Sequence, residues 1–173
     1  MKLAGQLPAV ETCSLKRVQS LNVGNMTPAS FRFKNIHIHQ SCLDNGAVVQ
    51  VIRSCKELWM LEYSYGSFYT QVLRSVIHNQ CLLDALCYHS KTLRVLDLDL
   101  DDQRVNRKRH IYEDRHLDPT NTEPTSLADF SALTHLSIGI DLLLRFTRGF
   151  PRDNNEDYSL IEGLPPHLQY LCI

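Results

Sequence analysis

His37-x-His39-x-x-Cys42-x-Asp44 is the most metal-like spacing in the chain. Histidines at i and i+2 share one face of an extended strand, so two imidazoles there can approach one zinc ion. A protein zinc site takes three or four side-chain ligands, and no second pair at ligand spacing follows. The expectation is therefore a pair of exposed strand histidines, with no metal and no other cofactor. Asp97, Asp99, Asp101 and Asp102 form an acidic cluster, but it has neither the glycine nor the closing glutamate of an EF-hand loop. Arg107-Lys108-Arg109-His110 is a basic run of the nuclear-localisation or nucleic-acid type, but Glu113, Asp114 and Asp118 follow closely and offset its field. It reads as a solvated loop.

Signs of catalysis are missing from the sequence. It holds no G-x-S-x-G elbow, no phosphate-cradling glycine loop and no H-E-x-x-H helix. No spacing of serine, histidine and cysteine nominates a triad. The expectation is a non-enzyme, with no catalytic residue.

Net charge is −1, so no global field draws the chain to nucleic acid or to an anionic membrane. Met1 to Val10 carries one lysine and a broken apolar run, too short and polar for a secretory signal. No run approaches the roughly 18 apolar residues of a membrane helix. These features lead us to expect an intracellular protein, cytoplasmic or nuclear. In that setting the six cysteines, Cys13, Cys42, Cys55, Cys81, Cys87 and Cys172, are expected as free thiols. At 173 residues the chain can bury a sizeable core as one domain.

The elements that position these side chains follow one recurring pattern. In Leu93-Arg94-Val95-Leu96-Asp97-Leu98-Asp99-Leu100, apolar and acidic residues alternate from Leu96 onward, the mark of a strand with one dry and one wet face. Its template is apolar, two residues, apolar, one residue, apolar. The template recurs from Val18, Phe33, Leu58, Leu93, Leu133 and Leu168, so strands are expected near 18–23, 33–38, 58–63, 93–100, 133–140 and 168–173. Steps between copies run from 15 to 40 residues, longer and less even than a regular leucine-rich repeat of about 20–29.

The intervening stretches carry short helical signals. Asp44 is placed to cap a helix with Val48, Val51, Ile52 and Cys55 on one face. Residues 69–88 hold one or two short helices divided near Asn79-Gln80. Ser126 caps barely more than a turn, and Glu156–Gly163 is another short helix that Gly163 and Pro165 end. The charged stretch 101–125 is expected to be a loop insertion, with a smaller one over Arg145–Asp157. Residues 1–17 read as an N-terminal extension or cap, and 18–173 as the repeats. Each repeat needs a neighbour to cover its apolar face.

The strands LWMLEY, LRVLDLDL, LTHLSIGI and LQYLCI resemble the strand signature of leucine-rich-repeat proteins. With their approaches, SCKELWMLEY and LPPHLQYLCI, they resemble the irregular repeats of fungal F-box proteins. The resemblance covers roughly Val18 to Ile173. It implies an α/β fold, an irregular leucine-rich-repeat solenoid with a parallel sheet on the concave side and short helices on the convex side. It also implies a protein-binding module, the substrate-recognition part of an F-box-type ubiquitin ligase adaptor.

The sequence departs from that family at several places. The Asn or Cys that follows such strands is replaced by Ser41, Gly66, Asp101 and Asp141, with Cys42 one place late. Leu7-Pro8 followed by Glu11 echoes the start of an F-box, but no complete F-box is visible. The end at Ile173, inside a strand, is read as the mark of a fragment or of a chain that needs a partner there.

Alternation places His37 and His39, Glu62, Asp97 and Asp99, His135 and Tyr170 on the wet face, together with Asn35, Met60, Ser64, Val95 and Ser137. They are the candidate partner-binding residues. An acidic centre flanked by histidines suits a basic segment of a protein target whose identity the sequence does not encode. Ligase components become further partners if a docking module exists in a longer form; neither nucleic acid nor membrane is expected. The alternatives are a small α/β enzyme with an unidentified site at the strand ends and a non-functional fragment of a longer gene.

Overall fold

The alternating segments do form strands, and the strands lie side by side in chain order. The computed structural model describes residues 10–22, 26–66, 79–100, 126–148 and 160–173. Its strands are β1 (Thr12–Lys16), β2 (Asn35–Ser41), β3 (Met60–Tyr65), β4 (Val95–Asp99), β5 (His135–Ile138) and β6 (Tyr170–Cys172). They form a single six-stranded sheet in the order β1-β2-β3-β4-β5-β6, with every neighbouring pair parallel. The fold is α/β with an open, all-parallel sheet.

Parallel neighbours require a crossover, and described helices lie in three of the five. They are α1 (Asn45–Ser54), α2 (Asn79–Cys87) and α3 (Ile140–Arg148), joined by 3₁₀ turns at Leu127–Asp129 and Leu160–Gly163. Helix α1 begins where Asp44 accepts a hydrogen bond from the Ala47 amide at 2.7 Å. Its Val48, Val51 and Ile52, with Cys55 just beyond, are buried as the 3.6-residue period requires. At the first 3₁₀ turn, the Ser126 hydroxyl accepts from Ala128 N while Asp129 accepts from Ser126 N, a reciprocal capping box.

The core lies between the helices and one face of the sheet. Ile36 and Ile38, Leu61 and Tyr63, Leu96 and Leu98, Leu136 and Ile138 are buried in the same cluster as Leu82, Leu83, Leu86, Leu143 and Phe146. The register makes these rows continuous: Ile36, Leu61, Leu96 and Leu136 are successive partners, as are Ile38, Tyr63, Leu98 and Ile138. Among the described residues the opposite sheet face stays half-buried or exposed, so the helices cover one side only.

Three expectations need correction. The first strand is Thr12–Lys16, inside the stretch expected to be a cap, and not 18–23; Val18 and Leu21 instead pack from a loop onto the edge of the core. The fifth strand stops at Ile138, because Leu142, Leu143 and Phe146 sit at helical spacing and draw Ile140–Arg148 into α3. That helix also takes in 145–148, the start of the expected smaller insertion. The insertion at 101–125, the remainder of the smaller one, and the first part of the 69–88 helical stretch lie outside the described residues.

A register fault near the end of β2 has a local cause. Gln40 adopts φ 51° and Arg17, its counterpart after β1, φ 57°, both in the left-handed region that non-glycine residues seldom occupy. The register shifts between Ile38 and Ser41, so Ser41, and not Gln40, turns inward and is buried. Its hydroxyl donates to His39 O at 2.9 Å and accepts from Val18 N at 3.0 Å. A serine here bridges to the backbone of the preceding turn.

Candidate functional site

The site is built on the uncovered sheet face, where side chains from neighbouring strands are stacked in rows about 4.8 Å apart. One row runs Ser14, His37, Glu62, Asp97, Ser137, Cys172 across all six strands. The row before it runs Thr12, Asn35, Met60, Val95, His135, Tyr170. Beyond it, Lys16 pairs with His39, and Ser64 with Asp99, on the two sides of the bulge.

All twelve residues expected on the wet face are there, but the titratable and aromatic ones among them fall into separate groups. His37 and Glu62 are register partners, with His37 Nδ1 2.5 Å from Glu62 Oε2. His39 Nε2 lies 3.6 Å from the same oxygen, and the two imidazoles stack with centroids 6.1 Å apart. Asp97 is the next residue in the row, partnered with Glu62 on β4, and Asp99 stands exposed one step further along that strand. His135 and Tyr170 form a second group at the far side, their rings stacked at 5.9 Å. The Thr134 hydroxyl donates to Arg94 O at 3.1 Å, leaving its oxygen to accept from His135 Nδ1–H at 2.9 Å.

The expected cluster His37-x-His39-x-x-Cys42-x-Asp44 is divided. The two histidines stay together, Asp44 is committed to the cap of α1, and Cys42 lies beyond the bulge. The carboxylate beside the histidines is Glu62, 25 residues from His37 in the chain. Only the strand register could have revealed that juxtaposition.

A second feature went unnoticed in the sequence. Just before the strands, the backbone links Glu11, Lys34, Trp59, Arg94, Thr134 and Gln169 into a rim. There Lys34 Nζ lies 4.3 Å from the Trp59 ring centroid and the Arg94 guanidinium 4.7 Å from it. Trp59 Nε1 donates to Glu57 at 2.7 Å, and Lys34 also pairs with Glu11 at 2.7 Å. The tryptophan is thereby held between two cations, each contact worth about 0.5–1 kcal/mol at an exposed site. The only sequence signal was the offset: each of the three residues precedes its strand by one place.

The perturbed titrating groups lie away from this face. Burial pushes the Cys55 thiol up to about 12, with a smaller contribution from Cys13, whose own thiol burial also raises. Burial likewise raises the Tyr63 phenol. His89 is lowered by burial, partly opposed by its hydrogen bond to Ile52 O at 3.0 Å. These groups are packed in the core, and nothing about them assembles a reaction centre. All six cysteines are free thiols. No described helix is long and apolar enough to cross a membrane.

Comparison with family models, with curated proteins and with solved structures finds no match to this chain.

Proposed function

We propose that this chain is a protein-binding module, an irregular leucine-rich-repeat solenoid whose uncovered, concave sheet face receives a segment of a partner protein. The observation that carries the reading is the one-sided cover of the sheet. Six parallel strands in chain order present unbroken rows of side chains on the face that no described helix packs against. A small α/β enzyme of the doubly wound type buries both faces and places its site at the strand ends. The half-exposed rows here are better suited to reading an extended surface.

The chemistry of those rows favours a basic partner segment. Glu62, Asp97 and Asp99 supply an acidic centre, flanked by His37 and His39 on one side and by the His135–Tyr170 stack on the other. The strand segments resemble those of fungal F-box proteins, and on that resemblance the module would select the substrate of a cullin-type ubiquitin ligase. Its mechanism would be positional: it holds the target while a separate enzyme modifies it.

The test is proximity labelling with the full chain, beside a variant carrying Asp97→Lys and Asp99→Lys. The expected result is a set of labelled proteins that the variant loses, since two reversed charges repel a basic segment. An identical set with both chains would remove the acidic rows from the binding surface. Co-recovery of ligase components with the wild-type chain would support the narrower, ligase reading.

A further inference from the structure

We propose that His37, His39 and Glu62 form a three-ligand site for a first-row divalent cation of the zinc class. The inference rests on the sheet geometry and goes beyond the protein-binding reading. Among the described residues, these three form a group whose donor atoms all lie within 4.8 Å of one another.

The geometry arises from three independent features of the fold. Period-two alternation puts both imidazoles on the same face of β2. Parallel register then sets Glu62 of β3 opposite His37. Finally, the Glu62 side chain reaches across to β2, so Oε2 lies 2.5 Å from His37 Nδ1 and 3.6 Å from His39 Nε2. One carboxylate oxygen therefore sits between two imidazole nitrogens.

A tetrahedral zinc with nitrogen and oxygen ligands at about 2.0–2.2 Å needs donor atoms about 3.3–3.5 Å apart. Reaching that spacing means opening the shorter separation by under about 1 Å and closing the wider ones, which end at 4.8 Å. The Glu62 torsions and modest ring rotations can do this without moving the strands. The side chains retain 24%, 43% and 30% of their exposure, for His37, His39 and Glu62 in turn. They are therefore held on one side by the sheet and open to an arriving ion on the other.

Ligand type narrows the choice of metal. Imidazole nitrogen with a carboxylate suits zinc, copper, nickel or iron(II) far better than calcium or magnesium, which prefer oxygen alone. Three protein ligands leave a fourth position for water on the solvent side. Asp97, the register partner of Glu62, adds a carboxylate one strand away and strengthens the local attraction for a cation.

The test uses the full chain, Zn²⁺ in competition with a chromogenic chelator, and Co²⁺ as a spectroscopic probe. The wild-type chain is expected to bind one equivalent at this site. Both Glu62→Gln and the pair His37→Gln/His39→Gln should weaken binding at least about tenfold, the lower end of what losing even a supporting residue costs a metal site. His167→Gln, on an exposed residue off the sheet, should leave it unchanged. Six thiols compete for soft metals, and Co²⁺ separates them, because thiolate ligation gives intense near-ultraviolet charge-transfer bands that imidazole and carboxylate do not. Imidazole nitrogen resonances of His37 and His39 should shift with Zn²⁺ in the wild-type chain, a readout that needs no variant. Unchanged affinity in both variants, thiolate bands accounting for all bound Co²⁺, or unmoved resonances of these two rings would each overturn the site.

Discussion

His37 on β2 and Glu62 on β3 are register partners across two adjacent parallel strands, and His37 Nδ1 and Glu62 Oε2 are 2.5 Å apart. Both side chains keep about a quarter of their exposure, so water screens the pair. A screened surface pair contributes about 0–1 kcal/mol. Glu62→Gln should therefore shift the urea midpoint by an amount equivalent to no more than about 1 kcal/mol. Denaturation curves of the two chains check this. A larger loss would mean that Glu62 holds the sheet together, and that binding defects in the variant reflect folding.

Leu96 and Asp97 are neighbours in the chain with opposite fates. Leu96 is fully buried in the row Ile36, Leu61, Leu96, Leu136, whereas Asp97 faces out between Glu62 and Ser137. Leu96→Ala removes buried carbons from a packed layer shared by four strands, and should cost about 2–5 kcal/mol. Asp97→Asn, with no buried contact to lose, should stay within about 0.5 kcal/mol of the wild-type chain. Equilibrium denaturation of the pair reads both. Similar losses from both would show that the alternation does not divide core from surface here.

This contrast also marks how far the sequence was legible. The template of apolar spacing placed Leu61, Leu96 and Leu136 correctly because each obeys a local period that its own strand enforces. It misplaced the first strand because Thr12–Lys16 offers only Cys13 and Leu15 to the core, while Val18 and Leu21 match the template from a loop. It missed the bulge at Gln40, since a left-handed residue breaks the period without any glycine to signal it. Glu62 beside the histidines was not legible at all. Its position depends on the register between strands separated by α1, which no local pattern encodes.

His89 should make stability depend on pH. It is buried behind α2, and its Nε2–H donates to Ile52 O at the end of α1. Burial lowers its pKa below the usual value of about 6.5, so in the fold it stays neutral where the unfolded chain already binds a proton. In that window the unfolded state holds more protons, so stability increases with pH. The stabilising effect of a neutral His89 is complete above about pH 6.5 and is lost as pH falls from there through the lowered folded value. Thermal melts between pH 8 and pH 5 should show the midpoint dropping across this range. His89→Gln keeps an amide donor for Ile52 O but cannot titrate, and should flatten that part of the profile. An unchanged slope in the variant would assign the dependence to other groups.

The thiols should report the same packing chemically. Alkylation requires the thiolate, and access as well. Cys172 is exposed on β6, whereas Cys55 is buried and its thiol is pushed up to about 12, first by burial and then by Cys13. At pH 8 a thiol near 12 is about one part in ten thousand thiolate, even before its burial is counted. Iodoacetamide followed by peptide mass spectrometry should therefore mark Cys172 first and leave Cys55 unmodified until denaturant opens the core. Because Cys55 ends α1 and its segment pairs with Phe31, its labelling should track the global unfolding transition and not a local one. Early modification of Cys55 in native buffer would mean that the α1 end opens on its own, and that the buried cluster is less cooperative than its continuous rows require.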